Sequence, residues 1–267
     1  VSGLLPLVGH SLRRRRGLLA ALSLMLIVFQ IFMILTARNY EQTGGFRQIA
    51  ALMPQFMAQW TNMMGASFTG FVLFGYSHPL VQLFLVAMAI SISTEPLGEI
   101  ETKFVDLMMA RPIRRTTAIN RTLIVLVVAT VIAVGSMLVA TFGGLRLLAP
   151  ATARPPQPRV IVSLAANLAL LVLAWGGIAL AIASCARRRA TAGAATGFLA
   201  FATFVLDYAG KFWEAVKPIS RISPFHYFDP FTMIGGRPLS TTDVAALAMM
   251  FAVSAAIAGV VYVWRDL

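Results

Sequence analysis

Six apolar runs, each about long enough to cross a lipid bilayer, constrain the fold of this chain more than any other feature. A transmembrane helix needs about 20 mainly apolar residues, and only 12% of the 267 residues are charged, about half the fraction of an average soluble domain. The sequence therefore predicts an all-α, polytopic membrane protein with one domain. We expect its six transmembrane helices at residues 17–37, 78–94, 123–148, 160–183, 190–206 and 244–263. Gly176 and Gly177 in the fourth run predict close packing against another helix.

Arginine clusters beside the apolar runs predict how the helices are oriented. Segment 1–16 ends in Arg13, Arg14, Arg15 and Arg16, and residues 187–189 are three more arginines between the fourth and fifth runs. Cytoplasmic loops carry an excess of Lys and Arg, so we expect segment 1–16 to anchor the chain at the cytoplasmic face, with both termini on that side. The expected location is a bacterial cytoplasmic membrane. The net charge of +12 does not indicate nucleic-acid binding, because the basic residues flank apolar runs and form no stripe with aromatic residues.

Two segments between the runs are expected on the external side. Within residues 38–77, apolar side chains recur at three- and four-residue intervals from Ile49 to Phe71. That spacing predicts an amphipathic helix that lies at the outer interface or covers the bundle. Residues 207–240 are too polar to span a bilayer and contain several prolines and aromatic side chains. We expect them to form interfacial or re-entrant helices, which are tolerated where protein buries the interrupted backbone.

A short charged segment, residues 95–121, separates the second and third runs. Its apolar residues recur at helical spacing, which predicts an amphipathic helix that Pro112 ends. These apolar residues are Leu97, Ile100, Phe104, Leu107 and Met108. A helix of this length cannot span a bilayer, so it must lie on the membrane surface or dock onto another molecule, and we favour docking. The neighbouring Glu95, Glu99 and Glu101 are expected to form a solvated helix face.

Motifs typical of enzymes are largely missing from the sequence. It contains no G-x-x-x-x-G-K-[ST] phosphate loop and no H-E-x-x-H metal motif, and Cys185 is its single cysteine. The interiors of the predicted transmembrane helices offer only neutral polar groups, whereas ion-coupled transport usually depends on ionisable residues inside the membrane. The exception is Asp207 near the outer end of the fifth helix, which we expect to be an interfacial cap. We therefore expect no catalytic residue, metal or cofactor in this chain, and an energy source outside it.

Two motifs carry a resemblance to a known family. The first is Gly98-Glu99-Ile100-Glu101, followed by Asp106-Leu107-Met108-Met109-Ala110-Arg111-Pro112-Ile113. The second is Ser223-Pro224-Phe225-His226-Tyr227-Phe228-Asp229-Pro230, which precedes the last run. Together with the six-helix layout, these motifs resemble the ABC-2-type exporter permeases. In that family a Gly-Glu-x-Glu segment leads to an acidic-Leu-Leu-Leu-small-x-Pro pattern on the cytoplasmic side.

The resemblance implies a permease that works with separate ATP-binding subunits. Two copies of an ATPase would bind ATP and Mg²⁺, and a second permease chain, expected to be identical, would complete a dimer in contact with membrane lipids. Coupling to the ATPase would involve Glu99, Ile100, Glu101, Phe104, Leu107, Met108, Arg111, Pro112, Arg114 and Arg115. An external gate would be formed by Pro224, Phe225, His226, Tyr227, Phe228 and Asp229.

These expectations lead to one principal function and two rivals. The chain is expected to be the membrane subunit of an ATP-driven exporter, and its aromatic external segment favours a hydrophobic or amphipathic substrate. Alternatively, it belongs to an ATP-linked module of membrane biogenesis, which handles a lipid or lipoprotein and transports no soluble substrate. A membrane enzyme acting on lipid would need convergent intramembrane His, Asp or Glu residues, and the sequence has no such set.

Overall fold

The computed structural model describes residues 4–46, 48, 67–102, 116–235 and 237–264, which are helical apart from short connections. In chain order the helices are α1 (Leu4–Thr43), α2 (Phe68–Ser77), α3 (Pro79–Ser93), α4 (Glu95–Glu101), α5 (Thr116–Leu148), α6 (Pro158–Cys185), α7 (Arg189–Gly210), α8 (Lys217–Ser220), a 3-10 helix (Pro224–Tyr227), α9 (Pro230–Ile234) and α10 (Thr241–Trp264). Within these ranges, six helical segments are long and apolar enough to cross a membrane: α1, α2 continued by α3, α5, α6, α7 and α10. The prediction of an all-α fold with six helices long and apolar enough to cross a membrane is confirmed.

Helix α6 lies at the centre of the bundle. It packs against α10, α3, α5 and α7, and its side chains Leu164, Leu168 and Trp175 are fully buried. Helix α1 packs along α5. Helices α7 and α10 expose large apolar side chains such as Phe198 and Val260. Extended exposed apolar surface of this kind marks a surface that contacts a membrane or another protein.

The two glycines of α6 bring neighbouring helices close to its backbone. A Cβ atom on Gly177 would lie 3.1 Å from the carbonyl oxygen of Phe251 in α10 and 3.3 Å from its Cα. A Cβ atom on Gly176 would lie 2.4 Å from the side chain of Leu126 in α5. The expected close packing at these glycines is confirmed, and α6 uses them to contact two helices at once.

Adding a methyl group at Gly177 is expected to destabilise the protein. The nearest atoms of Phe251 include backbone atoms, which cannot rotate away, and overpacking of this kind costs about 1–3 kcal/mol. The control is Gly197→Ala in α7, where a Cβ atom meets nothing within 4 Å and alanine favours the helix by about 1 kcal/mol. Thermal unfolding of both variants in one detergent measures the difference. A Gly177→Ala protein as stable as Gly197→Ala would contradict the close contact between α6 and α10.

The second membrane-crossing segment begins earlier than residues 78–94, the predicted span. Ser67 caps α2 by accepting a hydrogen bond from the Gly70 N–H at 3.2 Å, so the apolar residues from Phe68 onward belong to the crossing helix. Pro79 has no N–H and interrupts the helix, and His78 adopts an extended conformation at the break. The predicted external segment 38–77 is described only in part. Residues 47 and 49–66 lie outside the described residues, and most of the expected amphipathic helix falls within them.

The other crossing helices match the expected runs more closely. Helices α6, α7 and α10 contain the predicted runs 160–183, 190–206 and 244–263 and extend them by a few residues at their ends. Helix α5 starts at Thr116 rather than at 123, and α1 extends the run 17–37 in both directions. The four arginines therefore belong to α1 itself and lie one to four residues before its apolar run.

Candidate functional site

Helix α4 lies at the end of the bundle where α1 begins. It follows α3 after Thr94 and starts with Glu95 and Pro96, and proline suits this first turn because the N–H it lacks would have no partner there. Glu95 and Glu99 are buried, at 6% and 8% exposure. Buried carboxylates are costly unless they are paired, and each of these two has an arginine partner from another helix.

Glu95 pairs with Arg15 of α1. The Nε and Nη2 atoms of Arg15 donate to Glu95 Oε2 at 3.1 and 3.0 Å. Arg15 Nη2 also donates to the carbonyl oxygen of Ser91 at 3.0 Å, while Arg14 adds a contact to Glu95 at 3.9 Å. Hydrogen bonds between charged groups are the stronger kind, so this arrangement ties α1 to the junction of α3 and α4.

Glu99 pairs with Arg121 of α5. Arg121 Nη2 donates to Glu99 Oε2 at 2.7 Å, and the two side chains are only 4% and 10% exposed. The Nε atom of Arg121 has no acceptor among the described residues. Because removing one member of a buried pair leaves the other charge without compensation, each residue depends on its partner.

Glu101 binds the first residue of α7. Its Oε1 atom accepts a hydrogen bond from the backbone N–H of Arg189 at 2.7 Å. The guanidinium of Arg189 reaches back to α3 and donates to the carbonyl oxygen of Ser91 at 3.2 Å. A Cβ atom on Gly98 would lie 2.8 Å from Arg189 Cδ. Glycine at position 98 therefore leaves room for the arginine side chain to cross α4.

These six residues form one cluster, which we call the glutamate hub: Glu95, Glu99, Glu101, Arg15, Arg121 and Arg189. The hub connects α4 to α1, α5 and α7. The expectation of a solvated face is wrong for Glu95 and Glu99, because an arginine from another helix covers each carboxylate, whereas Glu101 is exposed. The expected coupling residues omit Glu95. Glu95 lies one helical turn before Glu99 and on the same face, and this spacing is the sequence signal from which a shared environment could have been predicted.

The apolar residues of α4 also contact the bundle. Leu97 is buried with Ala183 of α6 and Ala192 of α7. Ile100, one of the expected coupling residues, packs against Ile119, Leu180 and Tyr262. The other expected coupling residues of this segment lie outside the described residues: Phe104, Leu107, Met108, Arg111, Pro112, Arg114 and Arg115.

The hub leaves several neighbouring arginines exposed. Arg13, Arg14 and Arg16 surround the paired Arg15 on α1, and Arg187 and Arg188 precede Arg189 in the turn between α6 and α7; all five are exposed. Of the four expected anchor residues in α1, Arg15 is thus largely taken up by the hub, whereas the other three present most of their charge at the surface. This end of the bundle is strongly basic.

The expected gate residues lie beyond the far end of α7, in the 3-10 helix and the turn after it. Phe225 is buried against Trp175 of α6 and Phe204 of α7, with ring centroids 5.5 and 5.3 Å apart. The carbonyl oxygen of Tyr227 accepts a hydrogen bond from Asn167 Nδ2 at 3.2 Å. Pro224 and Phe228 are also buried. These contacts fix the 3-10 helix against the centre of the bundle.

Asp207 connects the gate residues to α7. Its carboxylate is buried and contacts Lys211 Nζ at 3.0 Å and His226 Nδ1 at 3.6 Å. Asp229 caps α9, since its Oδ1 atom accepts a hydrogen bond from the Thr232 N–H at 3.4 Å. Asp207 therefore belongs to a polar contact between two segments and is more than a cap at the end of a helix.

Neither a scan against protein-family models nor a search of curated proteins finds a match for this chain. Within the described ranges, no group of three or more His, Cys, Asp or Glu side chains could hold a metal ion. In the hub, two buried ion pairs connect α4 to α1 and α5, and a hydrogen bond from the backbone N–H of Arg189 to Glu101 connects it to α7.

Proposed function

We propose that this chain is the permease subunit of an ABC-2-type ATP-binding cassette exporter and that a separate subunit hydrolyses ATP. The observation that carries this proposal is the glutamate hub. The motif Gly98-Glu99-Ile100-Glu101 is separated by Thr102 alone from residues 103–115, the rest of the segment expected to dock onto the ATPase. The glutamates of the hub connect the start of that segment to three other helices of the bundle.

The hub supplies a physical route from an ATPase to the transmembrane helices. An ATPase that moves residues 103–115 would also move α4. Helix α4 can then separate from α1 or α5 only by breaking a buried ion pair, and a charge that loses its partner while it stays buried is costly. The helices would therefore move together, driven by ATP and Mg²⁺ bound to the partner subunit.

The docking contact itself would combine apolar and charged residues. Phe104, Leu107 and Met108 would provide the apolar anchors, and Arg111, Arg114 and Arg115 would pair with acidic groups of the ATPase or with lipid phosphates. Exposed arginines of α1 would contact headgroups of the same leaflet, which is rich in anionic lipid in many membranes.

The proposed assembly contains two permease chains and two ATPase copies in a bacterial cytoplasmic membrane. The hub and both termini would face the cytoplasm, as the positive-inside rule predicts. Residues 224–229 would enter the membrane from the outer side and form part of a gate for a hydrophobic or amphipathic substrate. Their contacts with Trp175 and Phe204 support a position deep between the helices.

Purification in a mild detergent tests the proposed function. We expect an ATPase with a Walker motif to co-purify in a 1:1 ratio with this chain, because each of two permeases would carry one ATPase, and we expect vanadate-sensitive ATP hydrolysis. The full-length chain is expressed in its native host, so that its own partner is present. Isolation of the chain without an ATPase in several detergents, with nucleotide present, would contradict the proposal.

Cysteine labelling tests the proposed orientation separately. In a Cys185→Ser background, which removes the exposed native thiol, we expect Arg188→Cys to react with a membrane-impermeant maleimide only from the cytoplasmic side. Lys217→Cys is expected to react only from outside. Both residues are exposed, so access to solvent is matched between them. The reverse pattern would overturn the orientation while leaving the six-helix fold intact.

A further inference from the structure

The guanidinium of Arg189 has hydrogen-bonding capacity that the described part of the protein does not use. Its Nε atom donates to Thr94 Oγ1 at 3.4 Å, and its Nη2 atom donates to the carbonyl oxygen of Ser91 at 3.2 Å. Both acceptors are neutral, and Glu101 accepts the backbone N–H of Arg189. The Nη1 atom has no acceptor among the described residues, yet it is not one of the buried atoms without a partner. Because Arg189 is only half-buried, a ligand can reach this atom.

The charges around Arg189 favour an anion at this position. Arg15 donates to the same carbonyl oxygen of Ser91 at 3.0 Å, so two positive guanidiniums lie side by side and repel each other. Glu95 pairs with Arg15 at 3.0 Å, whereas the exposed side chain of Arg14 contacts Glu95 only at 3.9 Å. The hub and the five exposed arginines beside it together hold eight arginines and three glutamates. This excess attracts an anion and repels a ligand that carries a positive group of its own.

An apolar groove begins directly beside this charged site. Leu83, Ala87 and Ile90 of α3 line one side of it, and Ile90 immediately precedes Ser91. Gly197 lies in the opposite wall, which α7 forms. The cavity between the two helices has a volume of about 250 Å³. We refer to it as the α3–α7 groove.

Two glycines keep the α7 side of this groove open. Gly193 and Gly197 follow Arg189 at intervals of four residues, which places all three on one face of α7. A Cβ atom on either glycine would meet nothing within 4 Å, so open space lies beside them. On the facing helix, Leu80 and Leu83 are 50% and 57% exposed. The groove therefore has room for a flexible apolar chain along the outside of α3.

The length of the α3–α7 groove matches one leaflet of a membrane. Residues 80–91 of α3 extend over about 16 Å at the rise of an α-helix, and half of a hydrocarbon core measures about 15 Å. Helices α3 and α7 both belong to segments that are apolar enough to cross a membrane. An acyl chain that starts beside Arg189 would lie along the groove while its headgroup stays at the hub.

We propose that Arg189 binds the phosphate of an anionic phospholipid and that an acyl chain of the same lipid occupies the α3–α7 groove. A guanidinium suits phosphate because its N–H groups match the spacing of two phosphate oxygens. Basic sites between membrane helices bind anionic headgroups in this way. The site shares Arg15 and Arg189 with the hub and Phe225 with the expected gate. Its test measures lipid binding rather than ATPase docking, so this proposal and the proposed function can fail separately.

Photolabelling of the purified full-length chain in phosphatidylcholine nanodiscs tests the lipid site. One probe is a phosphatidylglycerol with a diazirine in an acyl chain, and the other is a phosphatidylcholine with the same acyl chains. The two probes therefore differ only in their headgroups. We expect phosphatidylglycerol to label residues 80–90 about ten-fold more strongly, the factor expected from one hydrogen bond between charged groups.

Substitutions of arginine test the contact with the phosphate. Arg189→Gln removes the charge and is expected to lower phosphatidylglycerol labelling to the level of phosphatidylcholine. Arg189→Lys keeps the charge and should retain most of the preference, which separates the loss of charge from a disturbance of the hub. Arg187→Gln is the matched control. It removes one positive charge from an exposed position nearby and should leave the preference intact.

A substitution at Gly197 tests the groove. Gly197→Trp places a large side chain in the space beside α3 and is expected to abolish labelling of residues 80–90 by both probes. Gly135→Trp in α5 is its control, because a Cβ atom at Gly135 also meets nothing within 4 Å. We expect this control to label like the wild-type protein.

Four results would overturn the lipid site. Equal labelling by the two probes in the wild-type protein would show that the arginines do not select an anionic lipid. Equal loss of the preference in Arg187→Gln and Arg189→Gln would indicate a general attraction to the basic surface. Labelling of residues 80–90 that survives Gly197→Trp would place the lipid outside the groove. Absence of labelling by both probes would show that another molecule, such as a second copy of this chain, covers the groove.

Discussion

Replacing Glu99 with leucine is expected to lower the free energy of unfolding by about 3–5 kcal/mol, the cost of leaving a buried charge without its partner. The residue that loses its partner is Arg121, which is 4% exposed and donates to Glu99 at 2.7 Å. Its Nε atom already lacks an acceptor among the described residues, so the loss leaves the guanidinium with still less compensation. Thermal or denaturant unfolding in one detergent measures the effect.

A double variant tests whether the loss of stability in Glu99→Leu comes from the unpaired charge of Arg121. Glu99→Leu combined with Arg121→Met removes both charges, and well-packed apolar replacements of a buried ion pair are often neutral. We therefore expect the double variant to recover most of the stability lost in Glu99→Leu. Glu101→Gln is the control, because Glu101 is exposed and exposed ionic contacts contribute about 1 kcal/mol or less. Equal destabilisation by Glu99→Leu and Glu101→Gln would contradict the buried ion pair between Glu99 and Arg121.

Replacing Phe104 and Leu107 together with aspartate is expected to abolish ATP-driven transport. These residues share the predicted apolar face of the segment after the hub, and a charge at the centre of an apolar contact removes its main source of affinity. The protein should still insert into the membrane, because neither residue lies in one of the six apolar runs predicted from the sequence. The readouts are membrane abundance and transport into inverted vesicles together with the co-purified ATPase.

The conservative replacements Phe104→Leu and Leu107→Met serve as the control for this variant. They keep the apolar character and approximate size of the two side chains, so we expect transport to continue. If the aspartate variant transports normally, residues 104 and 107 do not form the docking contact. If both variants disappear from the membrane, the two residues support folding instead, and the docking contact must be sought elsewhere.

The sequence predicts the six crossing helices and the close approach at Gly176 and Gly177 because both depend on local properties. Apolar length alone identifies a crossing helix, and a glycine pair is recognisable wherever it occurs. The start of the second crossing helix was harder to predict, because residues 68–77 are apolar yet separated from α3 by Pro79. The proline suggested a helix start, but Ser67 supplies an earlier cap.

The glutamate hub could not be predicted in the same way. Arg15 lies 80 residues from Glu95 in sequence, and Arg189 lies 88 residues from Glu101. The sequence around each glutamate does not indicate which arginine it pairs with. Without that information, charged residues near the end of an apolar run are predicted to form a solvated surface. The predicted gate residues were identified from a motif, but their packing was not predicted. Their motif was visible in the sequence, but the burial of Phe225 against Trp175 depends on the fold of a distant helix.

Site-specific photocrosslinking tests the central claim, that the segment after the hub meets an ATPase. A photoreactive amino acid is introduced at position 107, and the protein is irradiated in membranes of its native host. The control position is Val253, which is 51% exposed on α10 and is expected to react with lipid. We predict a covalent adduct between position 107 and a protein that carries a Walker motif. Adducts with lipid alone at position 107, like those at Val253, would contradict the proposed coupling and favour a helix that lies on the membrane surface.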